Sequence, residues 1–275
     1  MRYAIVSRKR FRRKDKERYL SGLQRDLTSM SVSTKITQAK LKGERIHNLY
    51  VGDLQKAKQI IWTYYDTPKK TFSLYPHKIG QRPPAILNLF TMALPNLLLI
   101  ALGILFYMLI GRDLQESTDA WKTLFFFAFY VALLSCMVFF KKGVANGISM
   151  NRNSASVVGM MQLIDYLKSK SIAFAFVDFD CINGYGEAML RAYVGDDKRF
   201  IKLDCIGSKD PIHFLQEDES GVKKVSSIEG RGQYIVCRAK EENGEYLVKH
   251  ANSMKDTEIT AESINEVIST VVKAI

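Results

Sequence analysis

Ala85–Ile110 (AILNLFTMALPNLLLIALGILFYMLI) contains no charged residue, and Trp121–Phe140 (WKTLFFFAFYVALLSCMVFF) contains only Lys122. Crossing about 30 Å of hydrocarbon at 1.5 Å per residue takes roughly 20 apolar residues, and both runs are that long. Neither shows the polar face that a helix of a soluble core presents every three or four residues. The two runs read as a hairpin of membrane-spanning helices over residues 86–110 and 121–140.

The charges beside the runs give an orientation. Arg8, Lys9, Arg10, Arg12, Arg13, Lys14, Lys16, Arg18, Lys69, Lys70, Lys78 and Arg82 precede the first span, and Lys141 and Lys142 follow the second. The short connection sets Arg112 against Asp113, Glu116 and Asp119. Lys and Arg are retained on the cytoplasmic side, so both chain ends are expected inside a cell membrane and the loop outside. Tyr107 and Trp121 fall where amphipathic rings prefer the outer interface. Pro95 and Asn96 read as a kink and a packing detail.

The formal net charge of +12 over 275 residues points first to the bilayer. A basic segment near an anionic leaflet gains about 1 kcal/mol per Lys or Arg. With no zinc finger, RNA-binding aromatic motif or helix-turn-helix pattern, no nucleic acid partner is expected. The N-terminal cluster is too charged for a secretory signal. Cys136, Cys181, Cys205 and Cys237 show no CxxC spacing and are expected to stay reduced.

Outside the hairpin the pattern is helix and strand in alternation, which implies an α/β layer structure. Residues 1–45 read as a basic arm with a surface helix near Lys16–Leu27. Residues 46–84 read as the first part of a cytosolic domain and its linker, and 141–275 as the remainder. Lys58–Tyr65 (KQIIWTYY), Ile172–Phe179 (IAFAFVDF), Phe200–Ile206 (FIKLDCI), Gln233–Arg238 and Tyr246–Val248 are strand-like. Asn153–Ser169, capped by Ser154, and Ser263–Ala274 have helical periodicity, and 187–193 suits a short helix. The strand at Ile60 cannot form a sheet alone, so one sheet interrupted in sequence by the membrane insertion is the economical arrangement. His213–Leu215 has no evident place, and His77 and His213 read as surface imidazoles.

The order of these segments resembles the co-catalytic zinc aminopeptidases, the group that includes the transferrin receptor ectodomain. In that family a strand ends in His-x-Asp, a helix opens with Asp-Asn, a strand leads to Glu-Glu, another ends in Asp before Gly, and a His precedes the last helix. The matching positions here are Tyr64 and Asp66, Arg152 and Asn153, Ile182 and Asn183, Asp204, and Asn252. The resemblance implies a mixed-sheet aminopeptidase-like domain whose two zinc ions would sit at the carboxyl ends of the strands. Of the matched ligand positions only Asp204 keeps a competent ligand. Arg152 places a fixed positive charge where the dications would lie, and no Glu stands where the general base belongs.

These substitutions lead to the expectation of a catalytically inactive, membrane-anchored member of that family, without cofactor. It would offer its cleft to a peptide or protein partner on the cytosolic side. The alternatives are an active zinc aminopeptidase with unconventional ligands, drawn from Asp204, Cys181 and His250 with Asp180 and Cys205 nearby, and an accessory subunit of a membrane complex. An Arg152–Asp204 ion pair filling the old metal cavity is a further expectation.

Overall fold

The strand Gln59–Tyr64 (β3), buried along its whole length, lies between two strands that come from beyond the hairpin. The computed structural model describes residues 10–68, 76–81, 85–116, 119–141, 146–167, 171–181, 183–253 and 255–275. They divide into two units, one formed by Met1–Lys69, Ser73–Arg82 and Ala145–Ile275, the other by Lys70–Phe72 and Pro83–Val144. Ile182, Lys69, Lys70, Arg82 and Lys142, singled out above, lie outside the described residues.

In the first unit, Ile172–Val177 (β5), Arg199–Asp204 (β6) and Gly232–Arg238 (β9) run parallel to β3. Gln59 stands opposite both Ile172 and Arg199, which fixes the register on either side. Antiparallel strands flank this block: Glu44–Val51 (β2) and Thr34–Leu41 (β1) on one side, Ile212–Asp218 (β7) and Gly221–Val225 (β8) on the other. The order is β1-β2-β5-β3-β6-β9-β7-β8. The unplaced fragment at His213 thus belongs to a strand, and the mixed α/β architecture expected from the sequence is present.

The central strands read as continuous apolar runs because both of their faces are covered. On one face Ile61, Phe174, Phe176, Ile201, Leu203 and Val236 pack against three helices. These are Arg13–Ser29 (α1), Ala155–Tyr166 (α5) and Ala261–Ala274 (α7). On the other, Ile60, Trp62, Tyr64, Ala175 and Phe200 pack against Tyr185–Val194 (α6). A small sheet of His77–Lys78 (β4), Lys240–Glu242 (β10) and Glu245–Val248 (β11) covers Cys205, Leu215, Ile235 and Cys237.

The segment read as a basic surface arm is instead part of the core. In α1, Tyr19, Leu20, Leu23 and Leu27 are buried, and the stripe went unseen because the other faces carry so many charges. Two cations are buried as well, Lys16 in α1 and Arg10 ahead of it. Lys16 Nζ donates to Asp178 Oδ1 at 2.6 Å and lies 3.4 Å from the Phe179 ring centroid. Arg10 Nη2 donates to Ser154 Oγ at 3.0 Å, with its guanidinium over the Tyr19 ring. Ser154 is therefore no side-chain cap. It ends a π-helical turn, Met150–Ser154, that runs straight into α5.

The second unit is the hairpin. Ala85–Phe106 (α2) continues through a π-helical turn, Tyr107–Gly111, into Arg112–Gln115 (α3), and Ala120–Lys141 (α4) returns. Phe106 stacks on Phe129 with centroids 3.7 Å apart, and Tyr130 Oη donates to the Gly103 carbonyl at 3.1 Å. Leu97, Leu98, Met108, Phe127, Val131 and Val138 are exposed. Water would disfavour so large an apolar surface, whereas lipid tails accept it. Two helical stretches, Ala93–Gln115 and Ala120–Phe140, are long and apolar enough to cross a membrane.

Replacing Lys16 by Met would strand the buried Asp178 carboxylate without its cation. The expected loss is about 3–5 kcal/mol in unfolding free energy, with much of it recovered in the Lys16→Met/Asp178→Asn double variant.

Candidate functional site

Ligands of open α/β sheets bind beyond the carboxyl ends of the strands. At that edge β3 delivers Tyr64 and, just past its end, Asp66; β5 leads to Asp178, Asp180 and Cys181; and β6 delivers Asp204 and Cys205. The turn before α5 adds Arg152, β4 adds His77, and the loop after β11 adds Asn252 and Asp256. All of these residues are buried except Asp180, which is partly exposed.

Tyr64 is the hinge of the cluster. Its hydroxyl donates to Asp204 Oδ1 at 2.7 Å and accepts from Arg152 Nε at 3.4 Å. The guanidinium Nη1 donates to Asn252 Oδ1. Arg152 is also fixed by its backbone, since Asp256 accepts from the Asn151 and Arg152 amides at 3.0 and 3.2 Å. Asn153 Nδ2 donates to the Tyr64 and Asp66 carbonyls and locks this turn onto the end of β3. His77 Nε2 faces Asp204 Oδ2 at 3.7 Å, longer than an ordinary hydrogen bond, and makes no hydrogen bond of ordinary length.

Burial alone would push the Asp204 carboxyl up. His77, Lys202 and the Tyr64 hydroxyl reverse this and hold it well below the usual carboxylate range. Burial, helped by Arg152, lowers His77 and keeps the imidazole neutral near pH 7. Burial raises the Cys181 and Cys205 thiols far above their ordinary value, so both stay protonated. Asp66 is pushed up to about 7 by burial, against the pull of Lys16 and with Asp178 and Asp180 reinforcing it. Asp256 is likewise raised to about 7 by burial. Lys202 pairs with Asp180 Oδ2 at 2.6 Å and lies over the rings of Trp62 and Tyr64.

Several expectations change here. Arg152 and Asp204 make no direct ion pair; the Tyr64 hydroxyl joins them. His77 and His213 are buried, and His213 Nε2 lies 3.2 Å from the Ala239 carbonyl. His250 is exposed on a turn with φ +62°, and so stands outside the cluster. Asn183 sits in the turn after β5, with its amide on the Phe179 carbonyl. Cys181 Sγ lies against the Asp66 carbonyl at 3.3 Å.

Among the described residues one group offers three metal-ligand atoms within 4.8 Å of one another: His77, Asp204 and Cys205. Its chemistry does not suit two zinc ions. Asp204 Oδ1 is already taken by the Tyr64 hydroxyl at 2.7 Å, with the Cys205 thiol 3.3 Å away. Arg152 adds repulsion. Even at an effective dielectric of about 20, a dication held close to a guanidinium would be disfavoured by several kcal/mol.

Among solved proteins the fold is similar to that of glutaminyl cyclases. Two structures of the Porphyromonas gingivalis enzyme superpose with a TM-score of 0.55. One is 10% identical and covers 99% of this chain and 94% of that chain; the other is 13% identical and covers 99% and 95%. A glutaminyl cyclase from an Acidobacteriales bacterium is 12% identical and covers 99% and 92%, with a TM-score of 0.49. No protein-family model matches the sequence, and neither does any curated protein.

At these identities the fold alone is shared. The likeness still replaces the aminopeptidase resemblance, and with it the expectation of an inactive or unconventional zinc peptidase. The error has a physical source. An ordered series of strand ends followed by turns is what a doubly covered parallel sheet produces, whatever chemistry its edge carries. Sequence reasoning also missed His77, in a segment without periodicity, and Lys202. For Lys202 a signal was present, a lone cation inside the apolar strand FIKLD.

Changing Arg152 to Gln would remove the donors that hold the Tyr64 hydroxyl and Asn252 Oδ1, while Asp204 keeps Lys202 nearby and the Tyr64 hydroxyl. An unfolding free energy lower by about 1–3 kcal/mol is expected from the unpaired buried acceptor.

A pH dependence also follows. Asp66 and Asp256 keep protons up to about pH 7 in the folded chain, while the unfolded chain releases them near pH 4. Their stabilisation is therefore complete below about pH 4, fades as the pH rises through 7, and is gone above it. His77, lowered on folding, acts in the opposite sense below its unfolded value near 6.5. Melting temperatures of the wild type and Asp256→Asn measured from pH 5 to 8 isolate one acid: the variant should lose less stability over that range.

Proposed function

We propose that this chain is a bilayer-anchored protein whose glutaminyl-cyclase-like body carries out acyl transfer on an amide at a peptide chain end, with Arg152 rather than a metal ion as the fixed cation. The reading rests on one observation above all. A buried guanidinium without a direct carboxylate partner stands near an unbonded imidazole nitrogen at the strand carboxyl ends, in a fold shared with cyclases.

In the simplest such reaction the α-amine of an N-terminal glutaminyl residue attacks its own side-chain carboxamide. A new C–N bond forms, the bond to the amide nitrogen breaks, and ammonia leaves with a proton taken from the amine. Negative charge develops on the carbonyl oxygen during the attack. A cation already fixed in a dry site stabilises that charge without reorganising. Neutral His77 can accept and return a proton near pH 7. Asp204 stays ionised and orients Tyr64. Asn252 and Asp256 are positioning residues for Arg152.

The basic residues flanking the hairpin support placement of both flanks on the cytoplasmic side, against anionic headgroups. The substrate would then be a cytosolic peptide or protein end.

The test uses the full chain in nanodiscs with an N-terminal glutaminyl peptide, following ammonia release and the accompanying loss of one ammonia's mass from the peptide. Turnover that is insensitive to chelators and reduced roughly 10²-fold in Arg152→Lys supports the proposal. A rate no higher than that of empty nanodiscs, with and without added zinc, overturns it.

A further inference from the structure

The opposite end of the parallel block carries a second feature. Where β3, β5, β6 and β9 begin, an open cleft of about 650 Å³ is lined by Lys58, Lys198, Arg199 and Arg231, with Asp197 the one acidic side chain in its lining. Ala57 and Ile172 supply apolar wall. The volume falls within the range of small-molecule sites, about 300–1,000 Å³.

The cations do not have equivalent roles. Lys198 Nζ is held by the Leu54 and Gln55 carbonyls at 2.7 and 2.6 Å. Arg199 Nε donates to the Gly230 carbonyl at 2.7 Å, and its Nη1 lies 3.3 Å from Gln59 Oε1. These contacts hold both heads in place without any carboxylate. Lys58 and Arg231 are exposed side chains that extend the same wall.

Gln59 makes this more than a charged surface. The residue is 6% exposed, and its Nε2 is buried without a hydrogen-bond partner. Because Oε1 faces Arg199, the amide is turned so that its donor is the unsatisfied end. Leaving such a donor unpaired costs about 1–3 kcal/mol, a cost that an acceptor atom entering the cleft would remove. The Lys58, Lys198, Arg199 and Arg231 side chains offer only donors, against one acidic side chain, Asp197.

We propose that this cleft binds a phosphate-bearing small molecule. Its phosphate oxygens would lie among Lys58, Lys198, Arg199 and Arg231, and its less polar body against Ala57 and Ile172. Phosphate matches the donor set better than a single carboxylate, because several cations converge on one volume and a phosphate has three acceptor oxygens to share among them. The proposal is independent of the chemistry at the other end of the sheet.

Inorganic pyrophosphate titrated calorimetrically into the full chain in maltoside micelles, which contain no phosphate, is the direct test. Saturable binding is expected, weakened at least about tenfold in Lys58→Ala/Arg231→Ala and unchanged in Lys40→Ala/Lys42→Ala, at the closed end of the β1–β2 hairpin. The cleft pair is exposed, so folding should survive the change, and matching melting temperatures would establish that. A second arm asks whether a lipid headgroup is the source of the phosphate. Flotation with phosphatidylglycerol vesicles that depends on Lys58 and Arg231, in the absence of saturable pyrophosphate binding, would assign it to lipid. No binding in either arm, or equal weakening by both double variants, overturns the proposal.

Discussion

A carboxylate at the edge of a buried parallel sheet has to be compensated, and Asp204 sets that requirement for the whole first unit. It terminates β6 inside the core, where an isolated charge would cost several kcal/mol. Tyr64 from the neighbouring strand donates to it, and Arg152 reaches the same hydroxyl. Holding Arg152 there in turn requires the Asp256 carboxyl on its backbone and the Asn252 amide on its guanidinium. Four segments separated by up to about 190 residues of chain are thereby tied to one atom cluster. The hairpin can interrupt the sequence without dividing the sheet because these ties, and the β3 pairings, close across it.

A similar pattern recurs beside that cluster. Lys16 compensates Asp178 after β5, and Lys202 compensates Asp180. Each acid follows a strand and each cation comes from a different element, so the sheet edge is a row of buried pairs. Hydrophobic packing would fill the same volume at lower electrostatic cost, and removing either partner leaves an uncompensated charge. Such an arrangement defines which helix lies where: α1 is placed over β5 by Lys16 as much as by Leu23 and Leu27.

How much of this could be read from the chain depended on the range of the interaction. β3, β5 and β6 were legible because apolar runs of strand length declare themselves locally, and α7 because its stripe is regular. The two long apolar helices were legible because length and composition belong to a single segment. Residues whose roles are set by distant partners were not. Lys16 looks like any cation on a basic helix until Asp178, 162 residues away, is brought beside it. His77 lies in a stretch with no period, and only the pairing of β4 with β11 carries it to Asp204. Tyr64, Arg152, Asp204 and Asn252 were picked out as neighbours, but for a chemistry that their own charges oppose.

The two ends of the parallel block therefore contrast in a way that follows from strand direction. At the carboxyl ends the loops close over the edge and every acid has found a cation or a donor. At the amino ends the connections are short, and the cations there find only backbone carbonyls and an amide. Backbone carbonyls hold a lysine or arginine head in position without neutralising it. A cation held in this way keeps its full attraction for an anion arriving from solvent, whereas Arg152 at the other end already shares its field with Asp204. Electrostatics alone thus separates a closed centre, suited to stabilising charge that appears during a reaction, from an open one suited to capturing charge already present.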